Sequence, residues 1–353
     1  MDADFLKKLV EFETIAGNFR EMSDCIELCK SELGKSGLKS QVIVKNNVPS
    51  LVCNVRNNSS ELLLTGHLDV IEAKKEQFKP FEKNGRLFGR GAADMKAGCA
   101  VAVSVMKKLV EEGRADNVGL VFTCDEETGG HNGMADIAGK IKTKFATTLE
   151  PQSNKDTAII VKHKGLLWVE LVARGKAAHG SKPWLGENAA SKLISALPKA
   201  LSLASTSKKQ VWANTVNLGT INAGLSTNRV PDSASATLDY RLVRDSDAGR
   251  IKKRLAKISG VNATVIQESR MLDTDPGNQF VKKFAQCAQS VWGRKIGVAN
   301  ETYFTDVRWF CEKGVPAIVF GPYGENIHGD NEWVDLSECR KVEETYLKFA
   351  ELF

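Results

Sequence analysis

Apolar and polar positions alternate between helical and strand spacing over the first 164 residues. Leu6–Phe12 and Phe19–Leu33 set apolar residues three and four apart, the spacing of one buried helix face. Gln41–Val44 and Ser50–Val55 read as strands, and Leu62–Gly66 as a short apolar strand ending in glycine. Ala97–Leu109 predicts a helix, and Val118–Thr123 and Lys144–Leu149 predict further strands. Strands that are apolar throughout, set between helices, imply a sheet covered on both faces.

The rhythm changes near residue 165. A strand (Leu166–Ala173), a helix (Asn188–Ser202), two strands (Val211–Ile221, Ser233–Val243), a helix (Ser246–Ile258) and a strand (Ala263–Gln267) follow in turn. That is the β-α-β-β-α-β order of a ferredoxin-like unit. A helix (Asn278–Trp292), a buried strand (Ala317–Gly321) and a closing helix (Leu336–Leu352) complete the chain. This tail is too short to hold a core of its own. The expected architecture is therefore an α/β domain, residues 1–164 and 275–353, interrupted by an inserted α+β domain, residues 165–274.

Composition narrows the function classes. A chain of 353 residues exceeds what one core usually fills, which agrees with two domains. At 42% hydrophobic and 26% charged it is globular rather than disordered or fibrous. The net charge of +6 comes without a Lys/Arg block, so no nucleic-acid partner is expected. No apolar run is long enough for a membrane span, and the acidic N-terminus carries no signal-peptide pattern. Eight scattered cysteines lack a C-x-x-C and sit mostly in apolar runs, which fits a reduced, cytoplasmic protein. Cys25 and Cys29 stand at helical i,i+4 spacing; a metal pair there is the sharp reading, two core thiols the ordinary one. With only five histidines, any histidine-based site draws on His67, His131, His163, His179 and His328.

Several polar groups fall where open α/β sheets place their sites, beyond strand C-termini. His67 and Asp69 close the apolar run at 62–66 and point to one side of an extended chain. They suit a metal ligand and its orienter, or equally a buried histidine satisfied by a neighbouring acid. Asp94 lies in a Gly-rich loop that opens a helix, as either a cap or a ligand. Asp125-Glu126-Glu127 follows one apolar strand and Glu150 another. Three consecutive acids at a buried strand end repel one another unless cations balance them. His328 lies in a late loop. Two histidines and three carboxylates without a thiol suit a pair of zinc ions bridged by one carboxylate.

With these residues in place, the chain resembles the M20 metallopeptidases and amidohydrolases: acetylornithine deacetylases, succinyl-diaminopimelate desuccinylases, aminoacylases and glutamate carboxypeptidases. The resemblance runs through GHLDV (66–70), GRGAADMKAG (89–98), DEETGG (125–130), LEPQ (149–152), GKAAHGSKPWLGENAA (175–190), NRVPD…LDYR (228–241) and IHGDNEWV (327–334). It implies a mixed-sheet zinc-hydrolase domain with an inserted ferredoxin-like dimerisation domain, and two Zn²⁺ per chain, replaceable by Co²⁺ or Mn²⁺. By the resemblance, His67, Asp94 and Glu150 hold one ion, and Asp94, Glu127 and His328 the other. Asp69 would hydrogen-bond His67, Glu126 would be the general base, and the Asp94–Met95 peptide would be cis. His179 would donate to the oxyanion in the partner subunit's site, so a homodimer is implied. Arg241 would clamp a substrate carboxylate, with Asn228 lining the same pocket.

The substrate implied is an N-acyl amino acid or short peptide. The tail GPYGENIHGDNEWV (321–334) and Thr305-Asp306-Val307-Arg308 look most like desuccinylases, but His163 and Lys164 stand where those enzymes carry arginines. Lys182 and Trp184 also depart from that group. A deacylase is the first expectation and an exopeptidase of the same fold the alternative. A non-catalytic homologue would have lost site residues that this chain keeps.

Overall fold

The computed structural model describes residues 1–152, 157–206, 209 and 211–353. Among them, nine strands form one mixed sheet. The order is Ser40–Lys45, Val48–Cys53, Val118–Thr123, Leu62–His67, Phe145–Thr148, Ala317–Val319, Ile159–His163 and Leu272–Asp273, with Val298–Glu301 beside Ile159–His163. Leu62–His67 runs parallel to both of its neighbours, and Phe145–Thr148 parallel to Ala317–Val319. Val48–Cys53 is antiparallel to Val118–Thr123. Successive side chains of the central strands serve opposite faces. Leu62 and Leu64 join a core with Ile26, Met106 and Phe349, while Leu63 joins one with Val121, Ile137 and Phe310. This accounts for strands that are apolar at every position.

Helices Ala97–Glu111, Gln279–Trp292 and Leu336–Ala350 belong to the larger core. Phe284 meets Phe320, Tyr346 and Phe349 edge-on, with ring centroids 5.1, 5.2 and 4.9 Å apart. Burying each such ring contributes about 1.5–3 kcal/mol. No helix among the described residues is long and apolar enough to cross a membrane.

The chain divides into two compact units. One comprises Met1–Lys162, Leu272–Ala299 and Thr305–Phe353; the other comprises His163–Met271 and Asn300–Phe304. The second unit holds a four-stranded antiparallel sheet in the order Thr215–Ala223, Ser233–Leu242, Gly165–Arg174, Asn262–Ser269. Helices Ala189–Leu201 and Asp245–Leu255 pack their apolar residues with Leu167, Val169, Leu171, Ala236 and Leu238. With its first and third strands central, the sheet is ferredoxin-like. The strand expected from Val211 begins only at Thr215. Asn214 ends the lead-in: its side chain bonds Asp247 and the Val243 N–H, and its carbonyl takes the Ser205 N–H.

A third sheet, in the first unit, was absent from the expectations. It pairs Gly324–Glu325, Trp333–Asp335, Arg86–Phe88 and Phe81–Lys83. Its hairpin turns at Asn84 and Gly85, both left-handed, the usual residues of a two-residue turn.

Candidate metal centre and active site

Three parallel strands deliver the first side chains to one end of the large sheet. His67 ends Leu62–His67, Glu126 and Glu127 form a single turn after Val118–Thr123, and Glu150 follows Phe145–Thr148. Asp94 and His328 arrive differently from the expectation that all five sit beyond strands of one sheet. Asp94 lies in the turn Ala92–Lys96 ahead of helix Ala97–Glu111, and the Asp94–Met95 peptide is cis. His328 lies between the small-sheet strands Gly324–Glu325 and Trp333–Asp335.

These five side chains make two groups that share Asp94. His67 Nε2 stands 3.2 Å from Asp94 Oδ1 and 3.4 Å from Glu150 Oε1. His328 Nε2 stands 3.4 Å from Asp94 Oδ2 and 3.2 Å from Glu127 Oε1. Zinc ligands at about 2.0–2.1 Å in a tetrahedron lie about 3.3–3.4 Å from one another. The donor atoms thus stand at the spacing of tetrahedral edges, and nitrogen with carboxylate oxygen is a zinc donor set. Asp94 Oδ1 is buried and has no hydrogen-bond donor despite the nearby ring nitrogen, as a ligand oxygen would be. The residues fit two divalent cations with Asp94 between them.

Electrostatics point the same way. Burial, with the Asp94 charge beside it, pushes the Glu150 carboxyl up to about 8. Burial also opposes ionisation of Asp94, yet contacts with His328 and His67 hold it well below the usual carboxylate range. The Asp94 and Glu127 carboxylates push His328 up to about 10. Crowded acids here keep protons close at hand, and bound cations would take the place of those protons.

The ring of His67 is oriented by Asp69, mainly through the backbone: Nδ1 lies 3.0 Å from the Asp69 carbonyl and 3.5 Å from its carboxylate. An Nδ1–H donating there leaves Nε2 as a lone pair toward Asp94 and Glu150. The other Asp69 oxygen accepts the Glu127 N–H at 2.9 Å, tying the two strand ends together. Glu126 is 7% exposed, and burial followed by the charges of Glu150, Asp306 and Glu127 raises its carboxyl well above the ordinary range. A carboxyl whose pKa is raised in this way is suited to taking and returning a proton.

The second unit holds the other residues that the sequence singled out. His179 is exposed; its Nδ1 accepts the Ser181 N–H at 3.1 Å, so Nε2 carries the ring proton. Asn228 is exposed too, and its carbonyl accepts the Gly180 N–H at 2.7 Å, next to His179. Arg241 Nε donates to Asp239 at 2.9 Å, and its guanidinium lies 5.5 Å from the Phe304 ring centre. Asn188 caps helix Ala189–Leu201 by accepting the Ser191 N–H. His131 is exposed and edges onto Trp309, while His163 is fully buried. Cys25 and Cys29 are buried free thiols.

Asp306 and Arg308 entered the sequence reading only as part of a resemblance. Both are buried beneath the Glu126–Glu127 turn. Arg308 donates to the Gly129 carbonyl at 2.8 Å, to the Thr305 carbonyl at 2.9 Å and to Asp306 at 3.3 Å. The other Asp306 oxygen accepts the Thr123 hydroxyl at 3.2 Å. The signal available was an Asp and an Arg two residues apart in an otherwise apolar segment.

Two carboxylate–histidine groups sharing Asp94, beside the buried Glu126, fit a metal-dependent hydrolase of amide or peptide bonds. The model of peptidase family M20/M25/M40 matches residues 63–352, and the chain belongs to that family. A peptidase M20 domain-containing protein of Schizosaccharomyces pombe is 29% identical over 94% of this chain and 80% of its own length. A succinyl-diaminopimelate desuccinylase of Marinobacter nauticus is 25% identical over 91% of each. The fold is also that of an M20 metallo-carboxypeptidase of Sulfolobus solfataricus, with a TM-score of 0.82 at 21% identity over 100% of this chain and 99% of that one.

Proposed function

We propose that this protein is a zinc-dependent deacylase that hydrolyses the amide bond of an N-acyl amino acid, with Glu126 as general base. The observation that carries the reading is the pair of donor groups sharing Asp94, with Glu126 buried next to the ligand Glu127. His67, Asp94 and Glu150 would hold one ion, and Asp94, Glu127 and His328 the second. When bound, such ions would supply a Lewis acid for the amide carbonyl and lower the pKa of the attacking water. Glu126 takes the proton of the attacking water and delivers it to the departing amine. His179 Nε2–H donates to the carbonyl oxygen as negative charge develops there. Arg241, held on its Nε side by Asp239, receives the substrate carboxylate as a fork, and Asn228 lines the pocket beside His179.

The insert would serve as lid and dimerisation domain. Arg241 pairs with Leu166 at one end of its strand, while Ser233 pairs with Arg174 at the other. Eight steps of about 3.3–3.4 Å put those ends about 27 Å apart. Gly180 pairs with Asn228, five residues before Ser233 in the chain, so His179 and Asn228 belong to the end away from Arg241. This supports a site to which His179 and Asn228 come from a second copy. All eight cysteines are free, which supports a reducing, cytoplasmic setting.

The second reading, a metallo-exopeptidase, draws on probable carboxypeptidases of Aspergillus at 28% identity. Assaying N-acetyl and N-succinyl amino acids against dipeptides with Zn²⁺ or Co²⁺ separates the two. The deacylase reading expects kcat/KM for an N-acyl amino acid at least about tenfold above any dipeptide. The reverse order establishes the exopeptidase, and no hydrolysis of any member overturns both.

A further inference from the structure

Beside the metal ligands lies a pair of buried ions to which neither the sequence reading nor the proposed mechanism gives a task. Glu332 is 1% exposed and Arg90 3%. One Glu332 oxygen accepts the N–H groups of Ala93 and Asp94 at 2.9 and 3.0 Å. The other accepts the Gly91 N–H at 3.0 Å and Arg90 Nη1 at 2.5 Å. Arg90 Nη2 then reaches across to the Gly329 carbonyl at 3.0 Å, one residue beyond His328. The Glu332 carbonyl accepts the Gly89 N–H at 3.0 Å.

The turn before helix Ala97–Glu111 makes this acceptor necessary. Asp94 (φ −111°, ψ 97°) and Met95 (φ −129°, ψ 34°) are not helical, so the neighbouring N–H groups lack the acceptors a regular helix would supply. Leaving a buried N–H without a partner costs about 1–3 kcal/mol. Glu332 answers three of them with one carboxylate. It is also the residue just before strand Trp333–Asp335, which pairs with Arg86–Phe88. The same few residues therefore bind the Asp94 turn to the His328 loop, although more than two hundred residues separate them in sequence.

We infer that Arg90 and Glu332 are positioning residues, a brace that sets the Asp94 turn against the His328 loop and so fixes the ion site formed by Asp94, Glu127 and His328. The inference rests on the metal-centre reading above. The two sites depend on the brace unequally. His67 and Glu150 follow strands of the large sheet, whereas Asp94 and His328 both stand on braced loops. Loosening the brace disturbs two of three ligands in one site and one of three in the other.

Glu332→Gln tests this with little change of shape. An amide accepts on its oxygen only, so its NH₂ must face at least one of the four donors. Arg90→Lys is the milder variant: it keeps the charge but cannot span Glu332 and Gly329 as a fork. Each variant, with wild type and Asp94→Ala, is dialysed against buffered free Zn²⁺, and bound zinc is measured by elemental analysis and titration. The brace expects E332Q to retain about one zinc where wild type retains two, with affinity for the second weakened about 10–100-fold. It expects R90K to fall between them, and kcat of E332Q to drop while KM stays within about threefold and excess Zn²⁺ restores activity. A purely structural pair would lower the melting temperature of E332Q yet leave both zinc ions and kcat intact, and that result overturns the inference. If E332Q does not fold, R90K decides: wild-type zinc affinity there also overturns it. Should Asp94→Ala itself bind zinc like wild type, the metal-centre reading fails; should D94A lose zinc while both brace variants keep it, only the brace fails.

Discussion

Arg308 has no exposed surface, and the Thr305 and Gly129 carbonyls and the Asp306 carboxylate are among its partners inside the fold. Removing one member of a buried ion pair leaves an uncompensated charge, whereas removing both can be nearly neutral. Arg308→Met is therefore expected to cost about 3–5 kcal/mol, and the double variant Asp306→Asn/Arg308→Met distinctly less. Urea unfolding of the two singles and the double measures this; additive losses would show that the ions act independently. The residues legible in the sequence were those whose own chemistry announces a site: His67, Glu126, Glu127 and Glu150 at the ends of apolar runs, and Asp94 and His328 in polar, Gly-containing loops. Arg90, Glu332, Asp306 and Arg308 were not legible as contributors. Much of what they bind is backbone N–H and carbonyl groups of distant turns, and a sequence carries no mark of which turn will lie opposite which side chain.

Glu150 owes its place to how closely elements pack. Its neighbour Leu149 presents a carbonyl to Gly98, in the first turn of helix Ala97–Glu111, and both Leu149 and Glu150 carbonyls crowd Gly321. A Cβ at Gly98 would strike the Leu149 carbonyl, which is backbone and cannot swing aside. Gly98→Ala is expected to destabilise the protein by about 1–3 kcal/mol and, by shifting Glu150, to weaken zinc binding. Thermal melts and zinc titration check both effects; unchanged values would mean the helix can withdraw without moving the strand end. At this scale the strong periodicities were legible. Helix Ala97–Glu111 and strand Val118–Thr123 fall where their apolar patterns put them, because burial of those patterns is what forms the elements. The small sheet was not legible, since its strands are only two or three residues long. Asn84-Gly85 was the available sign.

For the whole molecule, the change of rhythm at residue 165 was legible because a βαββαβ order differs from alternating β and α units. The return of Asn300–Phe304 to the second unit was not, as no periodicity marks a five-residue excursion. The proposed two-copy site makes a sharp prediction. Glu126→Gln and His179→Ala should each be nearly inactive alone, yet mixing and re-equilibrating them in equal amounts should restore about a quarter of wild-type activity. Half the dimers are then mixed, with one intact site in each. Activity no higher than that of the parents would show that His179 serves its own chain or no site at all. Chelation offers a second check on the assembled fold. Cations held by these groups would tie the His67, Glu127, Glu150 and His328 side chains together through Asp94, and chelation removes that link. The melting temperature should then fall by roughly 5–10 °C and recover on adding Zn²⁺.

In the proposed mechanism Glu126 moves the proton while its neighbours hold the ions. Glu126→Gln keeps the shape and removes the base, so zinc content and turnover are measured on the same preparation. About two zinc ions per chain are expected, as in wild type, with kcat reduced about 10²–10⁴-fold. Turnover within a few-fold of wild type with both ions in place would contradict that mechanism.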